Sequence, residues 1–548
     1  MKKTATLLAA AALLTACQAQ GDSLAIEDGD LVKQDTPGKA DSSVEAVFVD
    51  FEFSGKAVVS SSFWAQSAIE DQLLYTIGHL NHDNSVGRLD QLQLSNVSTE
   101  AMGDGRFLAT YDAKMPVAWG NRDDVPTSYR LRLPLDITTA GQDAFTEKYN
   151  HDCVDAGAHD VTRGSMWYYY RPERWGCDIA ADDIVEVDVA VSVSEINTTG
   201  KYPEYHKVWE DDVLEVVAVF GKYEDGATSS GDAGINAYNR FNQAIGSNLQ
   251  GLDVITVPAN VPSSPGVDTP EVHYTAALAD DRTVEVTALL VDNVRTAPAS
   301  FNQRYAELSR TADLIVYNGH AGLGANIRAL ASKGDWQPGQ YAMVFMNGCD
   351  TYAYVDSALN DAHAAINEDD PDGIKYLDII TNAMPSFFHS MPDATMALVR
   401  GLMDYEQPRT YEQMFMDIDA SEVVLVSGEQ DNVYYPGYGE DDDGGDEPID
   451  DAWAGMEESG SLGRNEEHHY ATPSLAPGKY LFAIDGSGDA DLYVRTGAAP
   501  SVDTWECRPY RSGSNEVCEV ELTSAAPVHI MVRGYSSNSS YTLEGISE

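Results

Sequence analysis

A histidine and a cysteine follow two apolar runs of the chain, at a spacing that could bring them together. The run "DLIVYNGHAG" contains His320, and "YAMVFMNGCD" contains Cys349, 29 positions later. That interval matches one strand–helix–strand unit, and neighbouring strand ends lie roughly 5 Å apart at one edge of a sheet. A thiolate at Cys349 would act as a nucleophile, and His320 would take up and return its proton. In the alternative interpretation both residues merely end strands and are inert.

Small residues surround this pair. Gly319, Gly322, Gly324 and Gly348 would let a substrate backbone approach closely and leave N–H groups that could hold an oxyanion, and Ala321 keeps a further backbone N–H. We therefore predict that Ala321, Gly322 and Gly348 supply the backbone part of the site.

The region that must position these residues is 205–430, where β-branched runs such as "VLEVVAVFG" and "EVVLVSGE" alternate with helical stretches such as "INAYNRFNQAIGSNL". This pattern predicts a central α/β domain with a mainly parallel sheet, which binds ligands at the carboxyl ends of its strands. Residues 44–195 mix strand-like and helix-like runs and predict an N-terminal α+β domain of unknown role. Residues 461–548 are short strands and turns, which predict a C-terminal β-sandwich. The chain is therefore expected to be multidomain.

The two strand ends resemble those of caspase-like cysteine peptidases. "YNGHAGLG" and "VFMNGCDTY" are most similar to the gingipain-like branch, and the resemblance covers residues 205–430. It implies that His320 is the catalytic acid or base and Cys349 the nucleophile, with Gly348 as the small residue before it. The family pattern puts glycine directly after the histidine, whereas Ala321 stands here before Gly322.

The resemblance implies a cysteine endopeptidase that hydrolyses protein or peptide substrates through a Cys-His dyad. The alternative is a catalytically inactive surface-binding lipoprotein on the same scaffold. A metal-dependent or serine hydrolase is less favoured, because the chain contains no HExxH and no GxSxG pattern.

The six cysteines are Cys17, Cys153, Cys177, Cys349, Cys507 and Cys518. Cys507 and Cys518 flank a hairpin-like loop, so we predict a disulfide between them, and a second between Cys153 and Cys177. A metal site near Cys153, with His151 and His159, is the less favoured alternative, because the spacing fits no tight zinc pattern. Cys349 is then left over, as either a buried thiol or a reactive one.

The amino terminus, "MKKTATLLAAAALLTACQAQ", has a basic pair, an apolar stretch and a small-residue exit, which is the layout of a secretory signal over residues 1–16. "LTAC" resembles the lipobox of bacterial lipoproteins, which implies acylation of Cys17 and a location at the outer membrane or cell surface. Residues 17–43 are predicted to be a flexible tether. No later segment is apolar enough to span a bilayer, so the lipid is the expected membrane contact.

The chain carries 34 basic and 88 acidic residues, a formal charge of −54, which argues against nucleic acid as a partner. The acidic stretch at 437–460 is predicted to be a linker. A calcium loop there is less favoured, because Gly445 stands where an acid is required. We therefore expect no cofactor and leave structural calcium unassigned.

The carboxyl-terminal segment has a second resemblance. "GDADLYVR", "CRPY" and "GSNEVC" closely resemble the bacterial pre-peptidase C-terminal domain, over nearly all of residues 461–548. Such domains accompany secreted peptidases, so the resemblance implies export.

Overall fold

The computed structural model describes residues 41–547 apart from 123, 159–160, 195–196, 199, 435–437, 439–452, 454, 503, 511–512 and 523–524. The predicted signal at 1–16, the lipid site Cys17, all but the last three residues of the tether and most of the acidic linker lie outside these residues. None of the helices in the described part of the chain has the length and apolar character needed to cross a bilayer.

The chain forms two compact units. The larger runs to Asn197 and from Lys201 to Tyr438, and the smaller comprises Thr198–Gly200 and Gly439–Glu548. The N-terminal and central regions both lie in the larger unit.

The elements of the N-terminal region are β1 (Asp41–Ser43), β2 (Val47–Val59), α1 (Ala65–Leu73), α2 (Tyr75–Leu80), β3 (Val86–Gly87), β4 (Gln93–Ala101), β5 (Phe107–Trp119), β6 (Ser128–Pro134), α3 (Thr139–Tyr149), α4 (Met166–Tyr169) and β7 (Ile184–Val193). Strands β3, β5, β2, β7 and β6 form an antiparallel sheet in that order, and β4 also pairs with β5. In β5 inward and outward side chains alternate, which is the pattern of a strand with one buried face.

The elements of the central region are α5 (Tyr205–Val208), β8 (Val213–Gly221), α6 (Ala233–Asn248), β9 (Val254–Val257), β10 (Glu271–Ala277), β11 (Thr283–Val291), α7 (Ala299–Leu308), β12 (Leu314–Asn318), α8 (Ala325–Lys333), β13 (Ala342–Asn347), α9 (Thr351–Tyr354), α10 (Ala358–Ala364), β14 (Leu377–Asn382), α11 (Met391–Met403), α12 (Tyr411–Phe415) and β15 (Val424–Ser427). They form a nine-stranded sheet in the order β1-β15-β14-β13-β12-β8-β11-β10-β9.

The prediction of a mainly parallel sheet is wrong in part, because this sheet is mixed. Its five central strands, β11, β8, β12, β13 and β14, are parallel to one another. The flanking strands β10, β9, β15 and β1 pair antiparallel. The central strands are almost continuously apolar because the sheet is covered on both faces; every residue of β12, β13 and β14 is buried.

Strand β1 lies inside the stretch that was predicted as a tether. Ser43 pairs with Leu425 of β15, and its Oγ donates a hydrogen bond to the carbonyl of Val424 over 2.8 Å. The first described residues of the chain therefore close one edge of the central sheet.

The smaller unit contains β16 (Met456–Leu462), β17 (Glu467–Ala471), β18 (Gly478–Ser487), β19 (Ala490–Thr496), β20 (Glu516–Leu522), β21 (Val528–Gly534) and β22 (Ser539–Ser547). A four-stranded antiparallel sheet, β16-β22-β18-β20, and a three-stranded one, β17-β21-β19, share a core that includes Phe482, Leu492, Ile530 and Leu543. The predicted C-terminal β-sandwich is confirmed.

Both predicted disulfides are present. Cys507 bonds to Cys518, with the Cα atoms 5.8 Å apart, and Cys153 bonds to Cys177, with the Cα atoms 4.7 Å apart. The second bond removes the alternative of a metal site at Cys153, whose sulfur is no longer a thiolate ligand.

Candidate functional site at the carboxyl ends of the parallel strands

The structure places the two predicted strand ends side by side. Strands β12 and β13 are parallel neighbours, with Asn318 opposite Asn347. The N–H of Gly319 donates to the carbonyl of Asn347 over 3.2 Å, so the loops that carry His320 and Cys349 begin at the same edge of the sheet.

Close packing of these loops explains the glycine at 348. A Cβ atom added there would lie 2.7 Å from the carbonyl oxygen of Gly319 and 3.3 Å from the nitrogen of Ala321. Contacts below 3.0 Å are not tolerated, so a larger residue would separate the two loops.

His320 is held as a neutral imidazole. Its Nε2 lies 3.2 Å from the carbonyl oxygen of Tyr223, and its ring packs with those of Tyr223 and Phe388, with both centroids 5.3 Å away. Burial lowers the pKa of His320 below its ordinary value, and the hydrogen bond to Tyr223 and the charges of Asp232 and Asp225 oppose this only in part. Because a carbonyl can only accept, Nε2 carries the proton and Nδ1 is left as the basic nitrogen.

The sulfur of Cys349 is not available as a thiolate nucleophile. The residue is 6% exposed, and its Sγ lies 3.6 Å from the carbonyl oxygen of Ser386. Among the cysteines that the structure describes, none has a free thiol. A sulfur without a free thiol does not form the thiolate that nucleophilic attack requires.

The predicted backbone donors are partly engaged. The N–H of Gly348 donates to Asn382 Oδ1 over 3.3 Å. Gly322 has φ +60°, in the left-handed region that favours glycine, and starts a single 3-10 turn over Gly322–Gly324. Ala321 is buried and precedes that turn. Asn326 Nδ2 donates to Tyr317 Oη over 2.9 Å and also to the carbonyl of His320, which fixes this loop.

Three asparagines at this edge were not singled out from the sequence. Strands β12, β13 and β14 each end on an asparagine, at Asn318, Asn347 and Asn382. Asn347 Nδ2 donates to Asn318 Oδ1 over 2.9 Å, and Thr395 Oγ1 donates to the same oxygen over 3.1 Å. The signal was the repeated ending "YN", "MN" and "TN" of three apolar runs, which a parallel register brings into one row.

A buried carboxyl group, Glu422, extends this row. It accepts hydrogen bonds from Ser386 Oγ over 3.3 Å, from Asn382 Nδ2 over 3.4 Å and from Ser390 Oγ. Burial raises the pKa of Glu422 to about 7, more than the hydrogen bonds lower it. The one O–H of Ser386 is shared between Glu422 and Asn347 Oδ1, which is nearer at 2.5 Å, so Glu422 and the asparagines form one hydrogen-bonded network.

The N-terminal region packs onto the chain that follows Cys349. Asp350 is buried with φ 51°, and its Oδ1 accepts a hydrogen bond from Asn81 Nδ2 over 2.9 Å. The ring of Tyr352 lies 5.9 Å from that of Phe48, and the guanidinium of Arg88 lies over it at 5.3 Å. The first turn after β13 is therefore held by residues 44–195.

The described residues contain no group of three or more His, Cys, Asp or Glu side chains arranged to hold a metal ion. His159, part of the less favoured metal alternative, lies outside the described residues, as does most of the acidic stretch at 437–460. Structural calcium therefore stays an unassigned prediction.

Comparison with known proteins identifies the smaller unit. The family model of the bacterial pre-peptidase C-terminal domain matches residues 475–534, so the predicted resemblance of this segment is confirmed. A solved structure, the solution structure of vEP C-ter 100, is 40% identical over 15% of this chain and 85% of that chain, with a TM-score of 0.14.

Three similar proteins are peptidases by name. The chain is 52% identical over 58 residues to the virulence metalloprotease of Vibrio anguillarum, which is 11% of this chain and 10% of that protein. It is 37% identical over 109 residues to the alkaline serine exoprotease A of Vibrio alginolyticus, 19% of this chain and 20% of that protein. It is 43% identical over 81 residues to the zinc metalloprotease of Helicobacter pylori, 15% of this chain and 32% of that protein. The chain thus spans a third or less of each.

These comparisons correct the expected catalytic type. A cysteine endopeptidase with a Cys349–His320 dyad was predicted, but the similar proteins are named as metalloproteases and as a serine exoprotease. The engaged sulfur of Cys349 agrees with this correction. The prediction failed because it treated Cys349 as a spare thiol and gave weight to a motif of few residues.

Proposed function

We propose that this chain is an exported peptidase that cleaves protein substrates by a chemistry other than attack of a cysteine thiolate. The observation that carries the proposal is the pre-peptidase C-terminal domain at residues 475–534, together with similar stretches in proteins named as proteases. The absence of a membrane-crossing helix among the described residues is compatible with export.

We assign the reaction to the carboxyl ends of β12, β13 and β14. His320 lies there and is the proposed general acid and base. Its neutral imidazole, protonated on Nε2, keeps Nδ1 available to take a proton from an attacking oxygen nucleophile. The same nitrogen would then return the proton to the leaving amine. The asparagine row below it keeps the two loops in place, because every member is buried and hydrogen-bonded.

Cleavage of casein by the purified full-length protein tests the proposal. We expect His320→Asn to lose about 10²–10⁴-fold in rate, the usual contribution of a placed acid or base. Cys349→Ala is the matched variant at the neighbouring strand end, and it should retain cleavage. Inhibition by a metal chelator or by a serine-directed fluorophosphonate then separates the two classes for which the similar proteins are named.

Two results would contradict the proposal. Loss of cleavage in Cys349→Ala, with a normal circular dichroism spectrum, would restore a role for the sulfur. Failure of the unaltered protein to cleave casein or any peptide of a mixed library would leave a binding role for the same scaffold.

Attachment to the membrane through Cys17 is a separate part of the proposal, supported by the "LTAC" sequence, and it requires that the sulfur of Cys349 is engaged by something other than the sulfur of Cys17. Cys17→Ser should move the protein from the membrane fraction to the soluble fraction. An unchanged distribution, with no acyl mass on the mature amino terminus, would rule the anchor out.

A further inference from the structure

A pocket of about 310 Å³ opens beside the candidate site, at the carboxyl ends of β8 and β11. Its apolar lining residues include Val267, Pro270, Leu289, Val291 and Phe301. An apolar lining binds the apolar part of a ligand. The polar side chains of the pocket then determine which polar group that ligand must carry.

Two basic side chains line the pocket. Lys222 Nζ lies 2.5 Å from Asp292 Oδ1, and Arg304 Nε lies 2.8 Å from Glu271 Oε1. The lysine side chain is only 11% exposed, whereas that of Asp292 is 51% exposed. Asp292 Oδ1 also accepts a hydrogen bond from the N–H of Gly226 over 3.2 Å, but its half-exposed carboxylate can exchange these partners for water, whereas the enclosed ammonium needs an anionic partner.

Both bases have donors to spare. An ammonium group has three N–H donors and a guanidinium has five, and the planar fork of arginine suits a carboxylate. A ligand carboxylate could replace Asp292 at Lys222 or Glu271 at Arg304, because all four side chains line this pocket. The formal charge of −54 does not prevent this, because charges further than about 8 Å away are screened at physiological ionic strength.

The pocket lies a short distance to the side of His320. Strand β8 separates β11 from β12, with Gly221 opposite Val291 and Phe220 opposite Asn318. Two strand spacings amount to about 10 Å, which an extended peptide covers in about three residues. Tyr223, whose carbonyl holds His320, directly follows Lys222, so one loop borders both places.

We propose that this pocket binds a carboxylate of the peptide substrate, about three residues from the bond that is cleaved. The carboxylate belongs to an acidic side chain or to the free carboxyl terminus of the peptide, next to an apolar group that packs on Phe301. This inference rests on the proposed peptidase function and adds a substrate preference, for peptides that carry such a carboxylate.

Binding without turnover tests the pocket independently of catalysis. Fluorescence anisotropy of dansyl-Ala-Ala-Phe, of its carboxamide, and of dansyl-Ala-Glu-Phe carboxamide is measured on full-length protein and on His320→Asn. We expect at least one carboxylate-bearing peptide to bind tenfold or more tightly than dansyl-Ala-Ala-Phe carboxamide. Tighter binding of dansyl-Ala-Ala-Phe would indicate the carboxyl terminus, and tighter binding of dansyl-Ala-Glu-Phe carboxamide would indicate the acidic side chain.

Arg304→Gln should remove most of this difference. Arg310→Gln is the matched control, since it loses the same charge from an ion pair with Asp335 at 3.3 Å, which does not line the pocket. Equal binding of all three peptides to the unaltered protein would overturn the inference. So would an equal loss in the two arginine variants, or tighter binding of a lysine-containing carboxamide. Carboxylate binding without any cleavage would instead contradict the proposed peptidase function but support the carboxylate-binding pocket.

Discussion

Asn347 donates a hydrogen bond from Nδ2 to Asn318 Oδ1 over 2.9 Å and so joins the last residues of two neighbouring parallel strands. Both side chains are fully buried. The loops that carry His320 and Cys349 start directly beyond this bond, so its integrity sets the spacing between them.

Asn347→Ala should therefore destabilise the larger unit. The change removes one of the two donors to Asn318 Oδ1 and the nearer of the two acceptors of Ser386 Oγ, and each buried hydrogen bond lost costs about 0.5–1.5 kcal/mol. Urea unfolding followed by tryptophan fluorescence measures the effect. Gln303→Ala, which removes an exposed hydrogen bond to Glu307, is the control and should cost under about 0.5 kcal/mol. Equal effects of the two changes would show that the asparagine row is not important for stability.

Glu422 should make stability fall as the pH rises. Its pKa is raised from 4.5 to about 7 in the folded protein, so the folded state holds a proton that the unfolded chain has already released. The free energy of unfolding then decreases between these two pH values, by an upper limit of about 3.5 kcal/mol at about 1.4 kcal/mol per pKa unit.

Glu422→Gln tests this, because an amide resembles the neutral acid and does not ionise. The variant should be more stable than the unaltered protein at pH 8 and similar to it at pH 4, as measured by urea unfolding at both values. A difference that does not change with pH would mean that Glu422 titrates normally.

Loss of the Cys507–Cys518 disulfide should destabilise the smaller unit. The bond closes a short loop, with a sequence separation of 11, and such a bond contributes about 2–3 kcal/mol. Calorimetry of the full chain with both cysteines changed to alanine measures the shift in Tm of the corresponding transition. A Tm equal to that of the unaltered protein would contradict the expectation.

Cys349 should resist alkylation in the native protein. Since none of the described cysteines has a free thiol, iodoacetamide without reductant should add no mass to the peptide that contains Cys349. Labelling after denaturation and reduction is the positive control. Rapid labelling of the native protein that is slowed by His320→Asn would instead indicate a reactive thiolate.

The sequence predicted what depends on local pattern. Apolar runs such as "YAMVFMNG" became buried strands, and cysteines that flank a loop became disulfides. The antiparallel flanks were missed because the alternation of strand and helix suggested one direction throughout. Strand β1 was missed because "DSS" has no strand pattern, and its partner in β15 lies far along the chain.

The site was predicted less well for a related reason. His320 and Cys349 stand out as reactive residue types, whereas asparagine after an apolar run is typical of any turn. Only the parallel register shows that Asn318 and Asn347 face each other. The burial of Glu422, which raises its pKa, likewise depends on residues far from it in sequence.

Strand β1 has a consequence for how the protein is made. A ribosome releases the amino terminus first, so Ser43 exists long before Val424, its hydrogen-bond partner 381 positions later. The edge of the central sheet therefore closes only after nearly the whole larger unit has been synthesised. Translation that stops before β15 would produce a chain with its parallel strands complete but with β14 as a bare edge, and such an edge recruits strands from other molecules.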